Sequence, residues 1–315
     1  MLAIDTPVDD ARRRPALQEG ITALDGAFRF NPLKHNRLVT GAVKLAARAL
    51  TRDLQKLVFT ATTGRSGTMT LAKLFAAVPG CASLHEPWPN MSGDVLRAAA
   101  NGDDTLVREV YERIKSVNIL RAAIGQRYYF EGNHCFVKTF APLAIEEFGD
   151  RVVIVHLVRP AVEVATSIFR LREEPGTAVG NAWWLDYHAE TNLIPIADAL
   201  DSDPELSHPF YKALWYWHEI EARVATLRAK VPAVKIVRFE TAWLDDKAKV
   251  LGLFAQLGFP VDEGRIAPLI GSWCNQREDQ KRVSALPEER REHMLLRLRE
   301  ILARRGLYCG SDPTG

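Results

Sequence analysis

Residues 152–158 read Val-Val-Ile-Val-His-Leu-Val, an apolar run without polar alternation. Such a run suits a central parallel strand buried on both faces, because an edge or half-exposed strand alternates apolar and polar positions. Further β-prone runs lie at Leu57–Ala61, Cys81–Leu84, Cys135–Thr139 and Val234–Phe239. Between them, helical patterns cover about 104–122, 142–148, 161–172, 209–229 and 246–257, and a Glu/Arg/Leu-rich helix follows at about 287–305. This alternation predicts an α/β fold of three layers around a central, mostly parallel sheet.

The 315 residues allow two domains or one large one. We read 1–50 as an N-terminal helical extension, with a helix face in Arg37–Leu54, and 51–315 as a single α/β domain. Within it, Glu173 to Pro209 carries Pro175-Gly176 and the pair Trp183-Trp184, and reads as an acceptor-binding insertion or lid. A hydrophobic fraction of 47% with 25% charged residues excludes disordered, collagen-like and disulfide-dense chains. With 41 basic against 39 acidic residues the net charge is +2, too even for broad nucleic-acid or membrane binding, though a local basic pocket stays open. Cys81, Cys135, Cys274 and Cys309 form no C-x-x-C pair and are expected to be reduced and mostly buried. No apolar core of signal-peptide length and no run near ~18 apolar residues is present, so the expectation is a cytoplasmic protein without a membrane span.

The chemistry concentrates after the first strand. In Thr62-Thr-Gly-Arg-Ser-Gly67, Gly64 and Gly67 permit a tight turn and close approach of a ligand to the backbone. The amides of Ser66, Gly67 and Thr68 can then face an anion, with the N-terminus of the helix from Thr68 to Ala77 behind them. Arg65 adds a fixed charge, and Ser66, Thr68 and Thr70 add hydroxyls. The loop lacks the G-x-x-x-x-G-K-[ST] order of a Mg-ATP P-loop, since Thr68 follows the second glycine. The run 152–158 ends in Arg159-Pro160, where a nucleotide hydrolase would place a magnesium-organising Asp. The pattern favours a multiply anionic nucleotide held by protein cations, with no metal required.

Thr63-Gly-Arg-Ser-Gly-Thr68 resembles the 5′-phosphosulfate loop of sulfotransferases that depend on 3′-phosphoadenosine 5′-phosphosulfate (PAPS). Val155-His-Leu-Val-Arg-Pro160, with Ser167 eight residues after Arg159, resembles their 3′-phosphate motif. Lys138-Thr139 resembles their Lys-Thr segment, with Phe140 departing from the usual proline neighbourhood, and Val237-Arg-Phe-Glu240 with Trp243-Leu244 and Leu257-Gly-Phe-Pro260 resemble late segments of the fold. The resemblance covers roughly residues 56–90, 135–170 and 214–260. It lies closer to the carbohydrate and protein-tyrosine branch than to the cytosolic small-phenol branch.

The resemblance implies a P-loop nucleotide-kinase-like sulfotransferase fold and a sulfuryl transfer from PAPS to an acceptor hydroxyl, with PAP released. The acceptor would be a small molecule or glycan: a sugar, lipid-linked sugar, phenol or tyrosine. Gly64, Arg65, Ser66, Gly67 and Thr68 would hold the 5′-phosphosulfate, and Arg159 with Ser167 the 3′-phosphate. Lys138 would meet charge on the bridging oxygen, and Glu86 would be the base, with His85 as its competitor. Pro87 biases Glu86 toward extended backbone, and Trp88 beside it could raise its pKa.

Ordinary structural roles compete at each position. The loop could be a plain βα turn, Arg159 a surface charge, Ser167 a helix serine, Glu86 an ion-paired carboxylate and Lys138 an edge lysine. His134 and His156 read as structural, the latter as a hydrogen-bonded core imidazole. Trp183, Trp184, Trp215, Trp217 and Trp273 read as packing. Asn275-Gln-Arg277 and Lys281-Arg282 either close over the 3′-phosphate or form a solvated charge run. The competing functions are a Mg-ATP-dependent small-molecule kinase and a non-catalytic nucleotide-binding module. A homodimer contact through 1–50 is a further possibility.

Overall fold

The structure, a computed structural model, describes residues 37–272 and 286–307. Cys274, Cys309, Trp273 and the late basic residues Arg277, Lys281 and Arg282 lie outside the described residues, as does most of the 1–50 extension. What is described of that extension is helix α1 (Arg37–Leu50).

Among the described residues the five strands are β1 (Lys56–Ala61), β2 (Cys81–His85), β3 (Tyr128–Gly132), β4 (Val152–Val158) and β5 (Lys235–Glu240). They form one sheet in the order β2-β3-β1-β4-β5, with every pairing parallel. The helices run in chain order as α2 (Thr68–Ala76), α3 (Asp94–Ala100), α4 (Asp104–Val110), α5 (Ser116–Ala122), α6 (Ala141–Phe148) and α7 (Ala161–Leu171). They continue with α8 (Ala197–Ser202), α9 (Pro209–Lys230), α10 (Lys247–Leu257), α11 (Glu263–Ile266) and α12 (Glu288–Arg304). No helix among the described residues is long and apolar enough to cross a membrane.

Two apolar layers explain why β1 and β4 are apolar at successive positions. Leu57, Phe59, Val152 and Ile154 join a cluster with α6, α7 and α9, whereas Val58, Val153 and Val155 join a second with α2 and α10. Register pairs Leu57 with Val152 and Phe59 with Ile154, so like faces align across the sheet. The three-layer α/β arrangement expected from the sequence is the one observed. The His156 imidazole in β4 lies buried, its Nε2 3.0 Å from Glu221 Oε1 on α9, in keeping with a core histidine. Cys81 and Cys135 are buried free thiols.

Two local expectations need correction. Residues 135–139 are not a strand: Phe136–Phe140 form a π-helical turn leading into α6. Asn133 Oδ1 accepts from the Cys135 amide at 2.8 Å and starts the turn, while Phe136 and Phe140, four residues apart, both meet the Phe59 ring. The missing strand is β3, which carries the fully buried Glu131. That carboxylate accepts from Lys115 Nζ (2.5 Å), Tyr129 OH (2.6 Å) and Asn133 Nδ2 (2.8 Å), so its burial is compensated. Likewise the helix expected over 104–122 is broken into α4 and α5 by a π-helical turn at Tyr111–Lys115, which aims Lys115 at Glu131.

Candidate active site

After β1 the chain leaves toward β2, and after β4 it leaves toward β5, on the other side of the sheet. The carboxyl ends of β1 and β4 therefore border the crevice where open α/β sheets place ligands. A cleft of about 810 Å³ opens there, lined by Gly64–Met69, His85, Glu86, His134, Arg159, Pro160, Glu163, Glu173, Trp183, Trp184, Thr241 and Ala242. A second groove of about 890 Å³ runs between α1, α4 and α6 and is lined by side chains such as Arg108, Glu112 and Glu147 that pair with one another or with their neighbours. It lies away from the strand ends.

The loop after β1 is built with its carbonyls tied down. Thr63 O accepts from Tyr216 OH (2.9 Å), Gly64 O from Ser66 Oγ (2.9 Å) and Thr63 Oγ1 (2.8 Å), Arg65 O from Arg159 Nη1 (2.7 Å), and Ser66 O from Thr241 Oγ1 (2.8 Å). Four successive carbonyls are thus engaged by side chains, two of them from α9 and from the turn after β5. Among the described residues none accepts from the amides of Ser66, Gly67 or Thr68, which stand at the positive end of α2. Gly64 (φ +79°), Arg65 (φ +58°) and Gly67 (φ +87°) take the left-handed turns the loop requires. A Cβ on Gly64 would lie 3.1 Å from the Trp184 ring and 3.2 Å from His134 Cβ.

The two arginines singled out from the sequence meet. Besides the bond from Arg159 to the Arg65 carbonyl, Arg65 Nε donates to Ser167 Oγ on α7 at 3.0 Å. Ser167 does not itself line the cleft but stands behind Arg65. Arg159 also pairs with Glu163 Oε2 at 2.8 Å, and its carbonyl accepts from Trp217 Nε1 at 2.8 Å. A strand end, a helix and the loop therefore fix the two guanidinium groups together.

Glu86, His85 and His134 line the cleft beside the loop. The Glu86 backbone is at φ +46°, not in the extended region that Pro87 favours. Its amide donates to Gly132 O, and the carbonyls of Pro87, Trp88 and Asn90 are taken by Lys115, Asn118 and Asn133. The tertiary hydrogen bonds override the local preference. Burial raises the Glu86 pKa, opposed in part by the positive charges of Lys138 and Arg65. Burial also lowers His85, whose Nε2 lies 2.9 Å from Thr68 Oγ1. His134 is pushed well below its ordinary value by burial, then by the Lys138 and His85 charges, so it is neutral near pH 7. Its Nε2 lies 3.5 Å from Glu86 Oε1.

Lys138 does not line the cleft. Its ammonium sits one layer behind, donating to His134 Nδ1 (2.8 Å), the Trp183 carbonyl (2.7 Å) and Tyr216 OH (3.1 Å). Burial lowers its pKa to about 8. Of the tryptophans read as packing, Trp215 and Trp217 are buried in the core, and Trp184 is buried against His134 and Tyr216. Trp183 is 37% exposed on the cleft. Sequence reasoning read His134 as structural and did not single out Tyr216 or Thr241. Only His134 carried a signal, its place just past a strand end, and that signal was hidden while β3 was misplaced. Among the described residues no cluster of three or more His, Cys, Asp or Glu side chains is arranged to hold a metal ion.

No protein-family model matches the chain, and no curated protein matches it. Among solved structures, it is similar to the sulfotransferase domain of the Synechococcus PCC 7002 olefin synthase, with 16% identity over 79% of this chain and 94% of that one, TM-score 0.42. A sulfotransferase from Alicyclobacillus acidocaldarius matches with 15% identity over 78% and 92%, TM-score 0.41. Retinol dehydratase in complex with androsterone and the inactive cofactor PAP matches with 14% identity over 79% and 81%, TM-score 0.39. Likeness of this degree assigns no residue a role.

Proposed function

We propose that this chain is a PAPS-dependent sulfotransferase that moves a sulfuryl group to an acceptor hydroxyl. The observation that carries the reading is the coupling of two cations to one anion cradle. Arg159, at the end of β4, is bonded to the carbonyl of Arg65 inside the loop that lines the cleft. A nucleotide phosphorylated at both the 5′ and 3′ positions matches two fixed guanidinium groups better than a nucleotide carried with magnesium does.

In this reading the amides of Ser66, Gly67 and Thr68, with the Arg65 charge, bind the 5′-phosphosulfate and stabilise negative charge as the bridging bond breaks. Arg159 binds the 3′-phosphate, and Ser167 orients Arg65 from behind. Bound PAPS supplies the sulfuryl group, with PAP as leaving group. Glu86 takes the acceptor proton. Its partial burial brings its pKa upward, closer to the working pH, as a general base requires. Lys138 contributes from behind the cleft wall. Trp183 offers an exposed ring at the rim for an acceptor. A kinase reading gains nothing from the geometry, because Thr68 stands where the phosphate-binding lysine would follow Gly67, and Arg159 where an Asp would hold magnesium.

Calorimetric titration with PAP and with ADP in EDTA tests the reading, since ADP lacks the 3′-phosphate. We expect PAP to bind about 10- to 150-fold more tightly, the scale of a charged hydrogen bond. Equal affinities would remove Arg159 from the role assigned to it.

A further inference from the structure

Lys138 is a buried cation with no carboxylate within bonding distance among the described residues, and the three acceptors described for it are all neutral. A group in this setting is costly to keep charged. Its partners are informative because each leads to a different part of the site. Tyr216 OH, which accepts from Lys138, passes its own proton toward the Thr63 carbonyl of the anion loop. The Trp183 carbonyl belongs to the exposed rim. His134 stands beside Glu86.

The direction of these bonds follows from chemistry. An ammonium only donates, so His134 Nδ1 must accept. The His134 proton then sits on Nε2, the ring nitrogen that faces Glu86 Oε1 at 3.5 Å, a distance that ligand binding commonly tightens. We propose that Lys138 is a positioning residue acting on Glu86 through His134: its ammonium fixes the Nε2–H tautomer, and that N–H orients the carboxylate and favours its ionised form. The same ammonium, through Tyr216, braces the first carbonyl of the anion loop. Glu86 and the anion loop thus share one buried hub. The name of base for Glu86 rests on the sulfotransferase reading; the hydrogen-bond order does not.

The charged and titratable groups acting on this hub are Cys135, Glu86 and Arg223 on Lys138, His85 and Lys138 on His134, and Lys138, Arg65 and Glu131 on Glu86. Of these, the positive charge of Lys138 is the strongest that lowers the Glu86 pKa.

The test is nuclear magnetic resonance on the whole chain, with ¹⁵N-histidine and ¹³C-carboxyl-glutamate labels. The expected result is a neutral His134 protonated at Nε2 in the parent protein. In Lys138→Met that tautomer preference is lost and the Glu86 titration midpoint moves upward. His134→Gln, which keeps an N–H where Nε2 stood, leaves the midpoint near the parent value, while His134→Asn raises it. An Nδ1–H tautomer in the parent would overturn the proposal even if no variant folded. An unmoved Glu86 midpoint in both Lys138→Met and His134→Asn would do the same. PAP binding, measured in parallel on the parent, distinguishes the two ideas: its absence would remove the sulfotransferase reading and leave the tautomer result standing.

Discussion

Nη1 of Arg159 donates a 2.7 Å hydrogen bond to the backbone carbonyl of Arg65, 94 residues earlier in the chain. One arginine thereby shapes the loop that carries the other, and both charges line the same cleft. Arg65 Nε in turn donates to Ser167 Oγ at 3.0 Å, so each guanidinium group is held by a hydrogen bond to a different part of the chain.

Replacing Arg159 should therefore have two effects. Arg159→Ala is expected to weaken PAP binding by about 1.5–3 kcal/mol, with a modest effect on folding. The freed Arg65 carbonyl should also loosen the loop, visible as faster hydrogen exchange of the Ser66 and Gly67 amides. PAP affinity equal to that of the parent would contradict the assignment.

Gly64→Ala tests the cradle itself. The left-handed backbone alone makes a Cβ cost about 1–2 kcal/mol, and here the added methyl also meets Trp184 at 3.1 Å and His134 at 3.2 Å. We expect a lower melting temperature together with a loss of PAP binding larger than the stability change explains. Full retention of both would show that the loop can open without consequence.

Glu86→Gln should separate binding from chemistry. PAP affinity is expected to persist while sulfuryl transfer falls by at least 100-fold, the lower scale of general-base catalysis. In the parent, turnover should rise with pH through a midpoint above the ordinary carboxylate value, because burial raises Glu86. It should fall again near pH 8 as Lys138 loses its proton. Unchanged turnover in the variant would remove Glu86 as base.

Lys138 also leaves a signature in stability. Burial lowers its folded pKa to about 8 from the ordinary lysine value of 10.5, so between these values the unfolded chain binds more protons and stability rises with pH. The full difference amounts to roughly 3 kcal/mol. Cys135, raised to about 11 by burial, acts in the opposite sense at higher pH, so the quantity to measure is the parent minus Lys138→Met. That difference should grow in favour of the parent from pH 8 to 10 in urea unfolding. A flat difference would mean that Lys138 is not depressed.

Much of the fold was legible because four strands are short β-prone runs set between helical patterns, and the apolar run 152–158 could hardly be anything but central. β3 was not legible, because Glu131 interrupts its apolar pattern, and the lysine that compensates it, Lys115, comes from a helical turn 16 residues earlier, with Tyr129 and Asn133 beside it completing its hydrogen bonds. The run 135–139 misled for the complementary reason: its β-prone residues are the packing face of a helical turn against Phe59. At the site, the glycines and arginines announced themselves through spacing, whereas Tyr216 and Thr241 act through single hydroxyls on distant carbonyls. Nothing in their local sequence marks such a contact.

The central claim is that protein cations, with no help from magnesium, hold the nucleotide. Thermal unfolding with saturating PAP in EDTA, compared with Mg²⁺-ATP at the same concentration, tests it most directly. At 100 times its dissociation constant PAP should stabilise the chain by about 2.7 kcal/mol, with Mg²⁺-ATP giving a much smaller shift. Stabilisation by Mg²⁺-ATP and none by PAP would contradict the account.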